Sequence, residues 1–330
     1  MKFRPYFLSA CIAAFSLNAA AADYELGHGY SISDAVTVGG YFSTEFKAGD
    51  DLREFVVDDI AVLAYGQVSN FSYMVELESV NFYVADYEND TEDWNTAPAI
   101  ERLYLDYQAS DVVSVRLGKQ ITPIGYWNLQ PINVLRETTS NPALSREMFP
   151  KFLSGIDVYG YLPVGEDLTY HVYGQVTEDL DDEYINIPID RHFGASLEKS
   201  WGNNWSAGLA AGRFDALDDT QTRYYQLNAR YSGYPYKVQA EFNHTQHDMA
   251  FGPDEDATAA YVQGEWHFSM RHALVSRVEY FRDQRINENA RVFILGYSYR
   301  PLYPVSLKVE YQWHSDSGDN QLEASFSVLF

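Results

Sequence analysis

Residues 306–330, SLKVEYQWHSDSGDNQLEASFSVLF, hold two alternating runs separated by a short polar stretch. In the first, Leu307, Val309, Tyr311 and Trp313 share one face, and Lys308, Glu310, Gln312 and His314 share the other. In the second, Leu322, Ala324, Phe326, Val328 and Phe330 alternate with Glu323, Ser325 and Ser327. Side chains of a strand point to opposite faces with period two, so each run reads as a strand with one apolar and one polar face. A soluble sandwich has such strands too. The number of runs and the way they are joined separate the two architectures.

Followed upstream, the same alternation recurs in ARVFILGYSYR, ALVSRVEYFRD, TAAYVQGEWHF, YKVQAEFNHTQ, TRYYQLNARYS, WSAGLAAGRF and RHFGASLEK. It continues through LTYHVYGQV, GIDVYGYLP, VVSVRLGK, AIERLYLDYQ, FSYMVELES, EFVVDDIAVLAYGQV and AVTVGGYFSTEF, which brings the total to 16. An even number suits a single-chain antiparallel barrel. Short connections (69–70, 109–111, 164–167 and 202–204) alternate with longer ones that collect acid (86–93, 178–183, 215–219 and 253–257). A soluble sandwich has no reason to place its charge at every second connection, whereas an outer-membrane barrel has short turns on one side and long loops on the other. The expected fold is all-β, a transmembrane antiparallel β-barrel over residues 23–330.

Composition agrees. Aromatic residues reach 16% while mean hydropathy is −0.32, and past residue 22 no apolar run approaches the roughly 18 residues of a spanning helix. Trp205, Tyr225, Tyr231, Tyr236, Trp266, Phe268, Tyr299 and Trp313 fall near strand ends on outward positions, as interfacial girdles do. Residues 1–22 read as a signal peptide: Lys2 and Arg4, an apolar YFLSACIAAFSL, then small residues to Ala22. Leu8–Cys11 also spells a lipoprotein box, but it leaves a truncated apolar region before it. Cleavage removes Cys11, the only cysteine, so neither a disulfide framework nor a thiolate metal site is expected. A net charge of −24 argues against nucleic-acid binding, which needs a basic footprint.

The stretch 121–153, ITPIGYWNLQPINVLRETTSNPALSREMFPKFL, breaks the pattern with four prolines and paired charges. An irregular insert of this length in a compact protein is usually functional. It is the third long connection, and a wall of about 16 strands encloses an aqueous lumen that side chains cannot fill. The loop is therefore expected to fold inward, the alternative being an external loop, a cap or a subunit contact. Ile124, Trp127, Leu129, Leu144, Met148 and Phe149 would pack on the wall, leaving Arg136, Glu137, Arg146, Glu147 and Lys151 to meet solutes. The expected lumen wall mixes Arg102, Arg116, Arg230, Lys237, Arg277 and Lys308 with Glu76, Glu78, Asp106, Asp157, Glu241, Glu265, Glu279 and Glu310.

A third-loop constriction in such a wall, ending on an aromatic residue, resembles a Gram-negative porin. Phe326, Val328 and Phe330 resemble the C-terminal signature read by the outer-membrane assembly machinery. VRLGKQITPIGYWN (115–128) resembles the strand-to-loop segment of the phosphate-selective porin O/P group. The resemblance implies an outer-membrane channel, commonly a homotrimer, set among lipid and lipopolysaccharide. That group's anion binding rests on crowded basic residues, and the mixed wall here departs from it. Opposed charges orient polar solutes, whereas one-sign rings select ions. The expectation is passive diffusion of small polar solutes with cation preference, with no cofactor and no metal. A substrate-specific anion channel is one alternative. A barrel enzyme at the outer rim using His192, His267 or His314 is another. His244 and His247, at odd separation, fall on opposite faces of one strand and do not make a metal pair.

Overall fold

A computed structural model describes residues 23–330 except 163–166, 182–185, 218–219, 249–253 and 316–317; the side chains of residues 23, 146 and 147 also lie outside the described set. The segment 1–22 read as a signal peptide and most of the turn expected at 164–167 are therefore outside it. Two short strands, β1 (Asp23–Glu25) and β2 (Gly29–Ser33), form a hairpin that the period-two reading missed because it is too short to show alternation. The wall begins with β3 (Val36–Gly49), β4 (Arg53–Val68) and β5 (Phe71–Asp86). A four-residue strand, β6 (Thr91–Trp94), folds back on β5. The wall then continues as β7 (Ala99–Ser110), β8 (Val113–Ile121), β9 (Phe152–Tyr161), β10 (Leu168–Gln175), β11 (Ile189–Trp201), β12 (Trp205–Ala216) and β13 (Gln221–Gly233). It is completed by β14 (Tyr236–Asp248), β15 (Glu255–Ser269), β16 (His272–Asp283), β17 (Glu288–Leu302), β18 (Val305–His314) and β19 (Gln321–Leu329).

Each wall strand pairs antiparallel with its sequence neighbour, and β19 pairs with β3 from Gln321↔Gly49 to Leu329↔Tyr41. That pairing closes the sheet, so no edge is left with unpaired backbone groups, a requirement for any sheet in hydrocarbon. Closure extends to the last residue: the Phe330 N–H donates to Gly40 O at 2.8 Å and the Gly40 N–H donates to Phe330 O at 2.7 Å. Leaving aside β1, β2 and β6, the described wall has 16 strands, matching the 16 alternating runs.

Burial inverts the soluble pattern. Along β13, Tyr225 and Leu227 are exposed while Thr222, Tyr224, Gln226 and Asn228 are buried. Leu117, Val262 and Val278 are each more than half exposed. These apolar outward positions form the band that faces lipid. Trp205, Tyr236, Trp266 and Phe268 lie exposed beside the turns at 202–204, 234–235 and 270–271, as a girdle requires. On one side of the barrel the connections run from two to six residues; on the other, 87–98, 122–151 and 176–188 are long and the remaining five run from three to six.

Two β-bulges change what the lumen sees. On β4, Thr44↔Val57 is followed by Phe42↔Ile60, so Asp58 and Asp59 together oppose Ser43. On β7, Glu76↔Arg102 is followed by Leu77↔Ile100, leaving Glu101 as the extra residue. A bulge re-aims a side chain that strict alternation would send outward. Glu101 is fully buried and Asp59 accepts a hydrogen bond from Ser43 Oγ at 2.8 Å, so both join the inner face.

Candidate functional site

The connection 122–151 lies inside the barrel. Its base is tied where it leaves β8 and enters β9: the Thr122 N–H donates to Lys151 O at 2.9 Å, and Thr122 Oγ1 donates to Pro150 O at 2.7 Å. Ile124, Leu144, Met148 and Phe149 are buried against Leu153, Tyr173, Phe214, Tyr224 and Phe281 of the inner wall. Ile132 and Val134 pack on Tyr41, Ala61 and Leu63. Burial of such side chains stabilises by about 1.5–3 kcal/mol each, so the protein's apolar core lies between loop and wall. The loop's own secondary structure is one 3-10 turn (Asn133–Leu135) and a single helical turn, α1 (Leu144–Glu147).

An irregular backbone buried this deeply needs a partner for each polar group. Pro123, Pro131, Pro142 and Pro150 reduce the demand, having no N–H. Charged wall residues meet much of the rest. Glu241 accepts from the Trp127 N–H at 2.8 Å. Glu310 accepts from the N–H groups of Thr139 at 2.8 Å and Ser140 at 3.0 Å. Glu279 accepts from Ala143 N–H at 2.9 Å. Lys308 donates to the carbonyls of Asn133 at 2.9 Å and Thr138 at 3.0 Å. Arg300 donates to Arg136 O at 2.8 Å and to Val134 O, and it pairs with Glu137 at 2.9 Å. Arg277, with no accessible surface, donates to Thr138 Oγ1, Ser140 Oγ, Ser140 O and Glu279.

Placement therefore differs from expectation for much of the candidate set. Arg277, Glu279, Lys308 and Glu310 face inward but meet the loop backbone instead of solutes. Arg136 is 9% exposed; it donates to Gln130 O at 2.6 Å and Asn141 Oδ1 at 2.5 Å. Both Arg136 and Arg277 lie over the Trp127 ring at 5.1 Å. Burial lowers the Arg136 guanidinium from its ordinary pKa, opposed by Asp59, Asp58, Glu101 and Glu45. Glu137 is held by Arg300. The side chains of Arg146 and Glu147 lie outside the described set. Lys151 is partly exposed, 4.9 Å from the Phe152 ring centre. Leu129, expected to pack on the wall, is half exposed.

The space left beside the loop is a cavity of about 170 Å³ between Pro123 and Leu129 on one side and Arg102, Arg116, Asp157 and His171 on the other. Arg116 forks onto Asp106 at 2.7 and 2.8 Å and lies 3.9 Å over the Tyr104 ring. Arg102 donates to Glu76. His171 Nδ1 lies 2.8 Å from Asp157 Oδ2, and its ring stacks on Tyr159. Of the candidate wall residues, Arg102, Arg116 and Asp157 border this cavity; His171 was not among the candidates. Around the inner wall from β3 to β7 stand Glu45, Asp58, Asp59, Glu76, Glu78 and Glu101, with Lys47 and Arg102 among them. Glu45, Asp58, Asp59 and Glu101 were missed from the sequence; the bulges that bring in Asp58, Asp59 and Glu101 leave no period-two signal.

A family model described as Gram-negative porin matches residues 8–319. The chain belongs to the Gram-negative porin family. Its fold is shared with solved outer-membrane proteins at low identity. Against OmpF of Salmonella typhi, in complex with daunomycin, the TM-score is 0.66 at 11% identity, covering 94% of this chain and 100% of that one. OmpT of Vibrio cholerae gives 0.65 at 12%, covering 90% and 99%. An anion-selective porin of Comamonas acidovorans gives 0.64 at 12%, covering 90% and 99%. An uncharacterized protein of Aquifex aeolicus is 26% identical over 198 residues, 56% of this chain; the chain spans only 42% of that relative's length. The porin is thus an outer-membrane β-barrel with an inward third loop.

The segment 115–128 now has a physical reading. Gly118 has φ +129°, and a Cβ there would sit 2.1 Å from Leu103 O. Gly125 has φ +68°, and its Cβ would sit 2.1 Å from Glu241 Oε2. Only glycine suits both a left-handed backbone and so close an approach. Between them Lys119, fully buried, donates to Asp181 O at 2.7 Å and pairs with Asp179 at 3.4 Å. Asp181 also accepts from the Ile100 N–H at 2.8 Å, and Asp179 accepts from Ser154 Oγ. Asp179 and Asp181 of the next long connection of the porin are therefore tied to the inner faces of β7 to β9, where the sequence showed only an acidic outer loop.

The histidines weighed as enzymatic are separated. His192 is buried under the loop, bonded to Tyr224 OH at 2.9 Å. His267 stands by the turn at 270–271 and His314 ends β18 on the opposite side. His247 is buried between Thr222 and Thr245 while His244 faces Thr258 on the other side of β14.

Proposed function

We propose that the porin passes small polar solutes and ions by passive diffusion, with a preference for cations, and that it is not an enzyme. The observation that carries this is the carboxylate-rich arc of Glu45, Asp58, Asp59, Glu76, Glu78 and Glu101, on adjacent strands and exceeding the cations Lys47 and Arg102 among it. Loop residues Arg136 and Lys151 bring positive charge toward that arc: Arg136 interacts with Asp59, Asp58, Glu101 and Glu45, and Lys151 with Glu101. Positive loop against negative wall gives a transverse field that orients dipolar solutes in the narrow section. Reversal potentials in a salt gradient across planar bilayers test it. Cation preference is the expected result, and a clear anion preference refutes the proposal.

A second reading, an anion-preferring path, is favoured by the cavity where Arg102, Arg116 and His171 border open space. The same reversal potential decides, since the two readings give opposite signs.

We further propose that residues 1–22 are a cleaved signal peptide and that assembly depends on Phe330. We also infer a homotrimer embedded among lipid and lipopolysaccharide. The trimer is supported by a solved form of OmpT of Vibrio cholerae described as a trimer. Native gel mobility and cross-linking in outer-membrane preparations test it, with a monomeric ladder as the contrary result.

A further inference from the structure

Where the third loop meets β15, donor atoms of Glu137, Glu265 and His267 all lie within 4.8 Å of one another. Glu265 and His267 are two apart on one strand, so both point inward, and Glu137 comes from the loop. Glu137 is engaged on one oxygen only, and the second oxygen of Glu265 meets His267, itself a member of the group. Glu137 Oε1 accepts from Arg300 at 2.9–3.0 Å, whereas its Oε2 is inaccessible and has no hydrogen-bond partner. Glu265 Oε1 accepts from Lys237 and Gln263, both at 3.0 Å. Its Oε2 lies 3.2 Å from His267 Nε2. A buried oxygen without a partner in an otherwise satisfied network calls for an explanation such as an ion.

We propose that Glu137, Glu265 and His267 form a site for a borderline divalent metal, of which Zn²⁺ is the probe, and that the metal ties the third loop to the wall. One imidazole nitrogen and two carboxylate oxygens suit Zn²⁺, which takes three protein ligands and a water; calcium needs six to eight oxygens. The metal takes the place of the His267 Nε2 proton, and that proton leaves to solvent. Arg300 and Lys237 hold the non-ligating oxygens and so orient both carboxylates, the task of outer partners in metal sites. Access comes through a cavity of about 260 Å³ lined by Lys237, His267, Ser269 and Met270 beside the short turns.

The proposal rests on the channel reading for its current readout and not for binding. Chelator-treated full-length porin in detergent is titrated with Zn²⁺ by calorimetry, with Mg²⁺ in parallel. One saturable Zn²⁺ site is expected. His267→Ala and Glu265→Gln are each expected to weaken it by more than the roughly tenfold to hundredfold that loss of an outer partner costs. His244→Ala is expected to leave it intact. In bilayers, Zn²⁺ is expected to quiet the open-level current of the wild type reversibly with chelator, and to leave His267→Ala unaffected. Absence of a saturable site, or affinity unchanged in both ligand variants, overturns the proposal. Binding without any change in current overturns the tie between loop and wall. Failure of the metal-free protein to conduct counts against the channel reading, and the titration still decides the site.

Discussion

Replacing Arg277 by methionine removes the guanidinium donors that β16 offers to residues 138–140 of the third loop. The guanidinium donates to Thr138 Oγ1 at 2.8 Å, Ser140 Oγ at 2.7 Å, Ser140 O at 3.1 Å, Gln263 at 3.3 Å and Glu279 at 2.7 Å. Breaking a buried ion pair by deleting one partner costs about 3–5 kcal/mol. The lower end applies, because Glu279 keeps the Ala143 N–H. At about 1.4 kcal/mol per factor of ten, about 3 kcal/mol shifts the docked-to-released ratio of the loop by somewhat more than a hundredfold. The barrel ladder is untouched, so heat-modifiable migration on gels stays that of a folded barrel. Single-channel records are expected to show a larger mean conductance with strong open-level noise. Thr139 Oγ1 and Ser325 Oγ lie 2.8 Å apart, so T139C together with S325C gives an oxidation-dependent clasp. Oxidising that pair in the Arg277→Met background is expected to restore the quiet level, and reduction to release it. A quiet, wild-type current from a folded Arg277→Met barrel would refute the claim that wall charges hold the loop.

Gly125→Ala pushes a Cβ to within 2.1 Å of Glu241 Oε2. It is expected to cost about 1–3 kcal/mol through loss of the Trp127 N–H bond, read as faster proteolysis of the 122–151 loop. Lys119→Met strips Asp179 and Asp181 of their buried cation and is expected to free the 176–188 loop, seen as protease cleavage there with the third loop still protected. Asp58→Asn combined with Asp59→Asn is expected to move the reversal potential toward the anion side, and an unchanged potential would remove these carboxylates from the selectivity argument.

The sequence alone determined the barrel. Alternation such as Leu307, Val309, Tyr311 and Trp313 against Lys308, Glu310, Gln312 and His314 is a local property of extended chain, visible without knowing any partner strand. Repeated 16 times between turns, it specified the wall, its inward and outward faces, and 121–153 as the segment that does not belong to it, which the structure trims to 122–151. Which polar group meets which was not legible, because period two assigns a face and says nothing about what occupies the space beyond it. Glu310, Lys308, Arg277 and Glu279 meet the third loop, whose buried N–H and C=O groups claim them before any solute arrives. Asp58, Asp59 and Glu101 reach the lumen through bulges, which depend on how two strands register and leave no trace in either strand alone. Only the closed tertiary structure brings Glu137 from the loop to Glu265 and His267 on β15, since that meeting depends on how an irregular loop packs across a lumen formed by strands far away in the sequence.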